Sequence, residues 1–230
     1  MNKIAKWVGH WNVFEIIWLL LFSTVAVIIT IVSKDNFFGF TVFLSGVVCV
    51  VLVAKGNILN YIIGLYNTLG YAWIAWHNGL FGEVFEYLLF YLPMTVVGFF
   101  LWRNKMQDGT VLMRKLHLKW ILLLLAIIIS ATGIVGYLLS LIEAQNTPYI
   151  DAATNVLSVL ATILMVLRYR EQWGAYILLN VLSIIMWLFR AVDGSPEAAI
   201  MIVMWSAFLV NSFYGFYNWT KGAKETEGAA

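Results

Sequence analysis

Three apolar segments in residues 38–102 are matched by three in residues 149–219, with one apolar segment between the triplets and another before them. The runs cluster near the ~20 residues a helix needs to cross a hydrocarbon core. The spans read from the pattern are 13–33, 38–54, 58–77, 81–102, 117–142, 149–167, 172–190 and 196–219. Of the 230 residues, 62% are hydrophobic and 11% charged, against roughly a half and a quarter in soluble domains. The bilayer is therefore the solvent. The expected fold is an all-α polytopic membrane protein with eight transmembrane helices. The first run is too long for a signal peptide and no small-residue cleavage site follows it, so it is kept as a span.

The basic residues orient these spans. With the N-terminus in the cytoplasm, the inner segments hold Lys3, Lys6, Lys55, Arg103, Lys105, Arg114, Lys115, Lys119, Arg168, Arg170, Lys221 and Lys224, and the outer loops hold only Lys34 and Arg190. Twelve cations against two predict an even number of spans with both ends inside. The link at 143–147 then lies outside, and the polar connection Arg103–Leu116 lies inside and separates the halves.

The halves align without gaps in short blocks. Thr41, Ser45 and Lys55 precede Thr154, Ser158 and Arg168 by 113 residues; Tyr61, Gly64, Thr68 and Tyr71 precede Trp173, Tyr176, Asn180 and Ser183 by 112; Gly98 and Trp102 precede Gly215 and Trp219 by 117. Three spans followed by one return the chain to its starting side, so the second triplet runs parallel to the first. Such repeats are related by an axis along the membrane normal, the SWEET-like arrangement of some small-molecule transporters, with the substrate site expected between the triplets. The expected organisation is an N-terminal segment and extra helix (1–37), a first three-helix bundle (38–102), a connection and linker helix (103–148), a second bundle (149–220) and a tail (221–230).

One helix in the second triplet carries Trp173, Tyr176, Asn180, Ser183 and Trp187 at spacings of 3, 4, 3 and 4, which places all five on one face. Aromatic planes and an amide on one stripe of a membrane helix suit a ligand. Asn180 lies about 10 Å deeper than Trp173 at 1.5 Å per residue, near the midplane, where it either meets ligand or bonds a neighbouring helix. Trp173 begins its span, so an anchoring role at the interface is the alternative for it. Trp7, Trp11, Trp102, Trp120 and Trp219 stand at span ends and are expected to be interfacial anchors.

The order of spans, the stretch GNILNYIIGLYNTLGY and, above all, WGAYILLN after Arg170-Glu171-Gln172 resemble the PnuC family of vitamin transporters. The family pattern is Trp, three on Trp, four on Asn or Asp. This chain has Trp173, Tyr176 and Asn180, so its middle aromatic is Tyr. The resemblance covers residues 38–220. It implies a three-plus-one-plus-three fold and uptake of nicotinamide riboside, with thiamin or riboflavin as alternatives among relatives. Residue chemistry agrees with such a ligand. A flat pyridinium cation is held by Trp or Tyr faces, its carboxamide by Asn180 or Asn67, and its ribose by groups such as Thr154, Asn155, Ser158 and Gln172. Thr68, the repeat counterpart of Asn180, and Trp187 complete the expected substrate contacts.

Glu86 is the one carboxylate well inside a span, with Glu83 a turn earlier, and its charge is costly there. It is expected to attract a cationic substrate from outside. Pro93, two turns on, is expected to distort that helix. Trp205 is a candidate stacking wall, and Asp151 caps the outer end of span six.

No Walker sequence is present, so the chain does not drive itself by nucleotide hydrolysis, and no string of buried acids resembles a proton relay. Facilitated diffusion is expected, with a cytosolic kinase trapping the substrate by phosphorylation, as the resemblance implies. His10, His77 and His117 are far apart, and no pair has metal-ligand spacing. Neither a cofactor nor a metal is expected. An integral membrane enzyme would need a nucleophile–base pair or metal ligands at membrane depth, and none is legible. Cys49, the only cysteine, reads as a small core hydrophobe. The expected partners are the substrate, lipid, further copies of the chain in a homo-oligomer and the kinase. The net charge of +2 gives no footprint for nucleic acid. The expected location is a bacterial inner membrane.

Overall fold

The structure is a computed structural model and describes residues 11–32, 37–77, 79, 81–142, 147–194 and 198–228. Lys3, Lys6, Trp7, His10, Lys34 and most of the 143–147 link lie outside the described residues. Each apolar run becomes a helix: α1 (Val13–Val32), α2 (Phe37–Lys55), α3 (Leu59–His77), α4 (Phe81–Glu86, a π turn at Tyr87–Tyr91, then Leu92–Arg103), α5 (Leu118–Ser140), α6 (Pro148–Val166), α7 (Gln172–Val192) and α8 (Ala198–Gly228). Among the described residues, five segments, Phe37–Lys55, Glu83–Arg103, Leu118–Ser140, Pro148–Val166 and Gln172–Val192, are long and apolar enough to cross a bilayer. The chain divides into two compact units, one from the described residues up to Met113 with Val166–Arg168, the other from Arg114–Met165 with Tyr169 onward.

In the first unit, α1 begins with a capping box. Asn12 Oδ1 accepts the Glu15 amide at 2.8 Å and Glu15 Oε2 accepts the Asn12 amide at 2.9 Å, which satisfies two donors that a helix start leaves unpaired. The same Glu15 oxygen lies 3.0 Å from Lys55 Nζ, with both side chains only 4% exposed. The Lys55 ammonium also sits 4.3 Å from the Trp11 ring centre. Lys55 is thus a buried structural cation rather than a solvated end-of-span charge. Trp11 likewise covers that cation.

Helices α2 and α3 approach closely where side chains are small. A Cβ on Gly70 would stand 2.5 Å from Val42, and one on Gly46 would stand 3.1 Å from the Asn67 amide. Pro93 has no N–H and its ring crowds the preceding turn. Helix α4 accommodates it through the π turn immediately before it, where the Leu92 amide bonds back to Tyr87 O. The expected distortion takes this form.

Equivalent turns join α2 to α3 and α6 to α7. Gly56 (φ 72°) and Arg168 (φ 66°) both adopt left-handed backbone. The Asn57 amide donates to Leu52 O at 2.9 Å and the Tyr169 amide to Leu164 O at 2.8 Å, the six-to-one bond of a helix-ending Schellman turn. The next bonds also correspond: Asn60 to Asn57 and Gln172 to Tyr169, then Tyr61 to Ile58 and Trp173 to Arg170.

The 103–116 connection contains a hairpin, with Met106 paired to Val111 and Gln107 to Thr110. Asp108 (φ 47°) and Gly109 (φ 85°) turn it, as the Asp-Gly pair favours. Within the first unit, the Val111 amide donates to Gly56 O at 2.9 Å and Arg168 Nη1 to Leu112 O at 2.8 Å. Within the second, the Arg170 amide donates to Arg114 O and the Leu116 amide to Glu171 Oε2. The Arg114 guanidinium lies 4.5 Å from the Tyr169 ring centre.

The last helix corrects the expected end at 219. It continues to Gly228. Ala223 is buried, Thr226 bonds back to Gly222 O, and Lys221 faces Glu225 one turn on. These contacts keep the polar turns helical.

Candidate substrate site

The expected stripe on α7 is divided by its packing. Trp173, Asn180 and Ser183 are buried, whereas Tyr176 and Trp187 are half-buried. Helices α7 and α8 run against each other along their length. At their closest approach Gly215 admits the Trp173 ring: a Cβ there would lie 2.5 Å from three ring atoms. The Trp173 ring centre is 5.8 Å from Tyr176 and 6.3 Å from Trp219, edge-on to the latter. Asn180 Nδ2 donates to Ser212 Oγ at 2.9 Å. The hydroxyl in turn donates to Phe208 O at 2.9 Å. Asn180 therefore carries the interhelical bond that was the alternative to ligand contact.

The first unit repeats this packing in a smaller form. A Cβ on Gly98 would lie 2.3 Å from the Tyr61 ring, which meets Trp102 edge-on at 5.0 Å. Trp102 and Trp219 are both 0% exposed. The expectation that they anchor at the lipid interface is overturned. Each ring fills the interior of its unit beside Tyr61 or Trp173, and Trp219 is not even at a helix end. Trp120, by contrast, is 48% exposed, with Lys119 Nζ 5.5 Å from its ring centre.

The remaining candidates fall at several places in the fold. Asn67 Nδ2 donates to Val42 O at 2.8 Å and Ser45 Oγ at 3.2 Å, which stitches α3 to α2. Thr68 is buried on the same helix. Thr154 and Asn155 both bond the Asp151 carbonyl within α6, and Asn155 is exposed. The face of Trp187 is covered by the Arg190 guanidinium at 4.6 Å. Glu86 accepts a hydrogen bond from Tyr91, and Glu83 accepts one from Tyr71. Tyr87 stacks on Tyr71 at 4.4 Å and lies 5.0 Å from Tyr91. The two acids thus belong to a tyrosine ladder, which their i, i+3 spacing hints at and the sequence reading omits. Gln172, at the first turn of α7, is fully buried with its side-chain amide unpartnered. Trp205 packs beside Leu157, Ala161, Ala175 and Leu179 in the core of the second unit, together with Tyr176.

Long apolar helices, one of them carrying a buried aromatic seam, define a polytopic membrane protein. The model of a family described as nicotinamide mononucleotide transporter matches residues 36–221, all of the described helices except α1 and the last turns of α8. The chain is 37% identical over 227 residues to the nicotinamide riboside transporter PnuC of Haemophilus influenzae, covering 96% of each protein. It is 34% identical to the transporter of that name from Neisseria mucosa, covering 96% of this chain and 86% of the relative. A crystal structure of the vitamin B3 transporter PnuC matches the fold with a TM-score of 0.78 at 32% identity, covering 97% of this chain and 99% of that one. The chain belongs to this family of membrane transporters.

Proposed function

We propose that the chain carries nicotinamide riboside into the cell by facilitated diffusion, with phosphorylation by a cytosolic kinase retaining the product. The observation that carries this reading is the 37% identity, across nearly the whole length, to a protein named for that substrate. The aromatic seam supports it physically. A pyridinium cation gains about 0.5–2 kcal/mol from each ring face that it meets, and Trp173 and Tyr176 are adjacent rings in one unit. In this reading Trp173, Tyr176 and Asn180 are the central contacts, Trp187, Asn67, Thr68, Thr154, Asn155 and Gln172 contribute polar or aromatic surface, and Glu86 favours approach of the cation. Thiamin and riboflavin, also aromatic vitamins, are the second reading, which Tyr176 in place of the family Trp leaves open. Titrating purified protein with all three ligands, followed by Trp fluorescence, tests the choice. Quenching by nicotinamide riboside at the lowest concentration is expected. Preferential response to thiamin or riboflavin would reassign the substrate.

The architecture that goes with this function is eight spans, an extra helix followed by a 3+1+3 parallel repeat, in a bacterial inner membrane with both ends cytoplasmic. Bundles 38–102 and 149–220 are the repeats, 103–148 the connection and linker helix, and copies of the chain form a homo-oligomer. The twelve-to-two charge bias and the equivalent turns at Gly56 and Arg168 support it. Cysteines introduced at 143–147 are expected to react with an impermeant reagent from outside, whereas those in 104–110 are protected. Outside labelling of 104–110 would contradict the orientation.

A further inference from the structure

Neither Nε2 nor Oε1 of Gln172 has a hydrogen-bond partner, and the residue is 0% exposed. A buried amide without partners is costly and uncommon in native structures. The turn itself does not impose it. The counterpart of Gln172 in the first unit, Asn60, donates its amide to Asn57 O at 2.6 Å. The two amides that the sequence offers for a ligand carboxamide are also engaged, Asn180 with Ser212 and Asn67 with Val42 and Ser45. Beside Gln172 in sequence, the indole Nε1 of Trp173 is likewise buried and unpartnered. Among its described residues, the second unit therefore holds a primary amide whose donor and acceptor are both uncommitted, next in sequence to the buried Trp173 indole.

We propose that Gln172 is a specificity-determining residue that reads a primary carboxamide on the transported ligand through a paired amide–amide hydrogen bond. This rests on the reading of the substrate as a nicotinamide nucleoside. The Gln172 Nε2–H donates to the ligand carbonyl while the ligand N–H donates to Oε1, and no other group is required. A nicotinic acid nucleoside of the same shape presents two acceptors, so one contact becomes oxygen against oxygen. A site built around a donor–acceptor pair rejects such an analogue far more strongly than a hydrophobic pocket rejects a change of size. The consequence is selection of carboxamide over carboxylate at the pyridinium ring. The sequence reading places the carboxamide on Asn180 or Asn67 and the ribose on Gln172. The proposal exchanges these roles.

The test compares nicotinamide riboside with nicotinic acid riboside on the full-length purified protein, wild type, Gln172→Leu, Gln172→Met and Gln172→Asn, with melting temperatures recorded. The wild type is expected to prefer the carboxamide by about 10- to 100-fold. Gln172→Leu and the near-isosteric apolar Gln172→Met are expected to bring that ratio close to one, and Gln172→Asn, which keeps both amide groups, to retain part of it. A wild-type ratio preserved in Gln172→Leu or, where that variant does not fold, in Gln172→Met would overturn the proposal. So would a lowered melting temperature with the ratio intact, which would make Gln172 structural. Failure of the wild-type protein to bind either nucleoside is a separate outcome. It would refute the substrate reading on which the proposal rests.

Discussion

Lys55→Ala is expected to destabilise the first unit by about 3–5 kcal/mol, the cost of leaving one partner of a buried ion pair uncompensated. Glu15 would lose its 3.0 Å partner while remaining sealed from water and still accepting the Asn12 amide. Most of the loss comes from holding the carboxylate away from water without that ammonium, because the Coulomb gain of the pair is itself largely offset by burying both charges. The double replacement Lys55→Met with Glu15→Leu should therefore recover most of the loss. Unfolding followed in detergent with each single and the double variant gives the coupling directly. Additive losses would mean that the pair is not an energetic unit. A large rescue would identify it as the fastening of α1, the helix that lies outside the family match.

Trp102→Ala and Trp219→Ala are each expected to cost about 3–5 kcal/mol, the range for removing a fully buried indole and leaving a cavity. Trp120→Ala should fall within about 0.5 kcal/mol of wild type, since that ring is half exposed and its removal opens no interior space. An interfacial anchor and a core residue thus separate by a factor that thermal unfolding resolves easily. Equal small effects at all three positions would restore the anchoring role for Trp102 and Trp219. Because Trp219 lies edge-on to Trp173, a Trp219 variant is no neutral control for ligand binding at Trp173. Trp173→Phe, which keeps an aromatic face over Gly215, is the better comparison with Trp173→Ala.

Helix positions were legible because the bilayer imposes one long-range rule on every span: about 20 apolar residues with their backbone bonds satisfied internally. All eight apolar runs therefore appear as helices within a few residues of the expected bounds, apart from α8. Its polar last turns carry no hydropathy signal and are held by Ala223 burial and Thr226 instead. The Asn12–Glu15 capping box and the Asp108-Gly109 turn were also present as short patterns, but a hydropathy reading passes over both. Burial of Lys55 was not legible, since its partner Glu15 is 40 residues away and a span-end lysine ordinarily snorkels.

The seam was partly legible. Spacing alone puts Trp173, Asn180 and Ser183 on one buried face, as observed. Spacing does not say which neighbour that face meets. The close approach of Gly215 to the Trp173 ring and the bond from Asn180 to Ser212 depend on α8, more than 30 residues on. Gln172 points the same lesson the other way. As the residue before the motif it has no periodic signature of its own, and only the bonding of the neighbouring amides reveals that its own amide is uncommitted.

The central claim is that this chain alone moves nicotinamide riboside down its gradient, and uptake into proteoliposomes tests it most directly. Purified protein reconstituted without sodium, proton or nucleotide gradients should equilibrate labelled nicotinamide riboside across the membrane. Excess unlabelled nicotinamide riboside inside should accelerate entry by counterflow, and Trp173→Ala should abolish the effect in protein that still folds. Entry only when an ion gradient is imposed would contradict facilitated diffusion. Absence of entry under every gradient, with thiamin or riboflavin entering instead, would contradict the substrate.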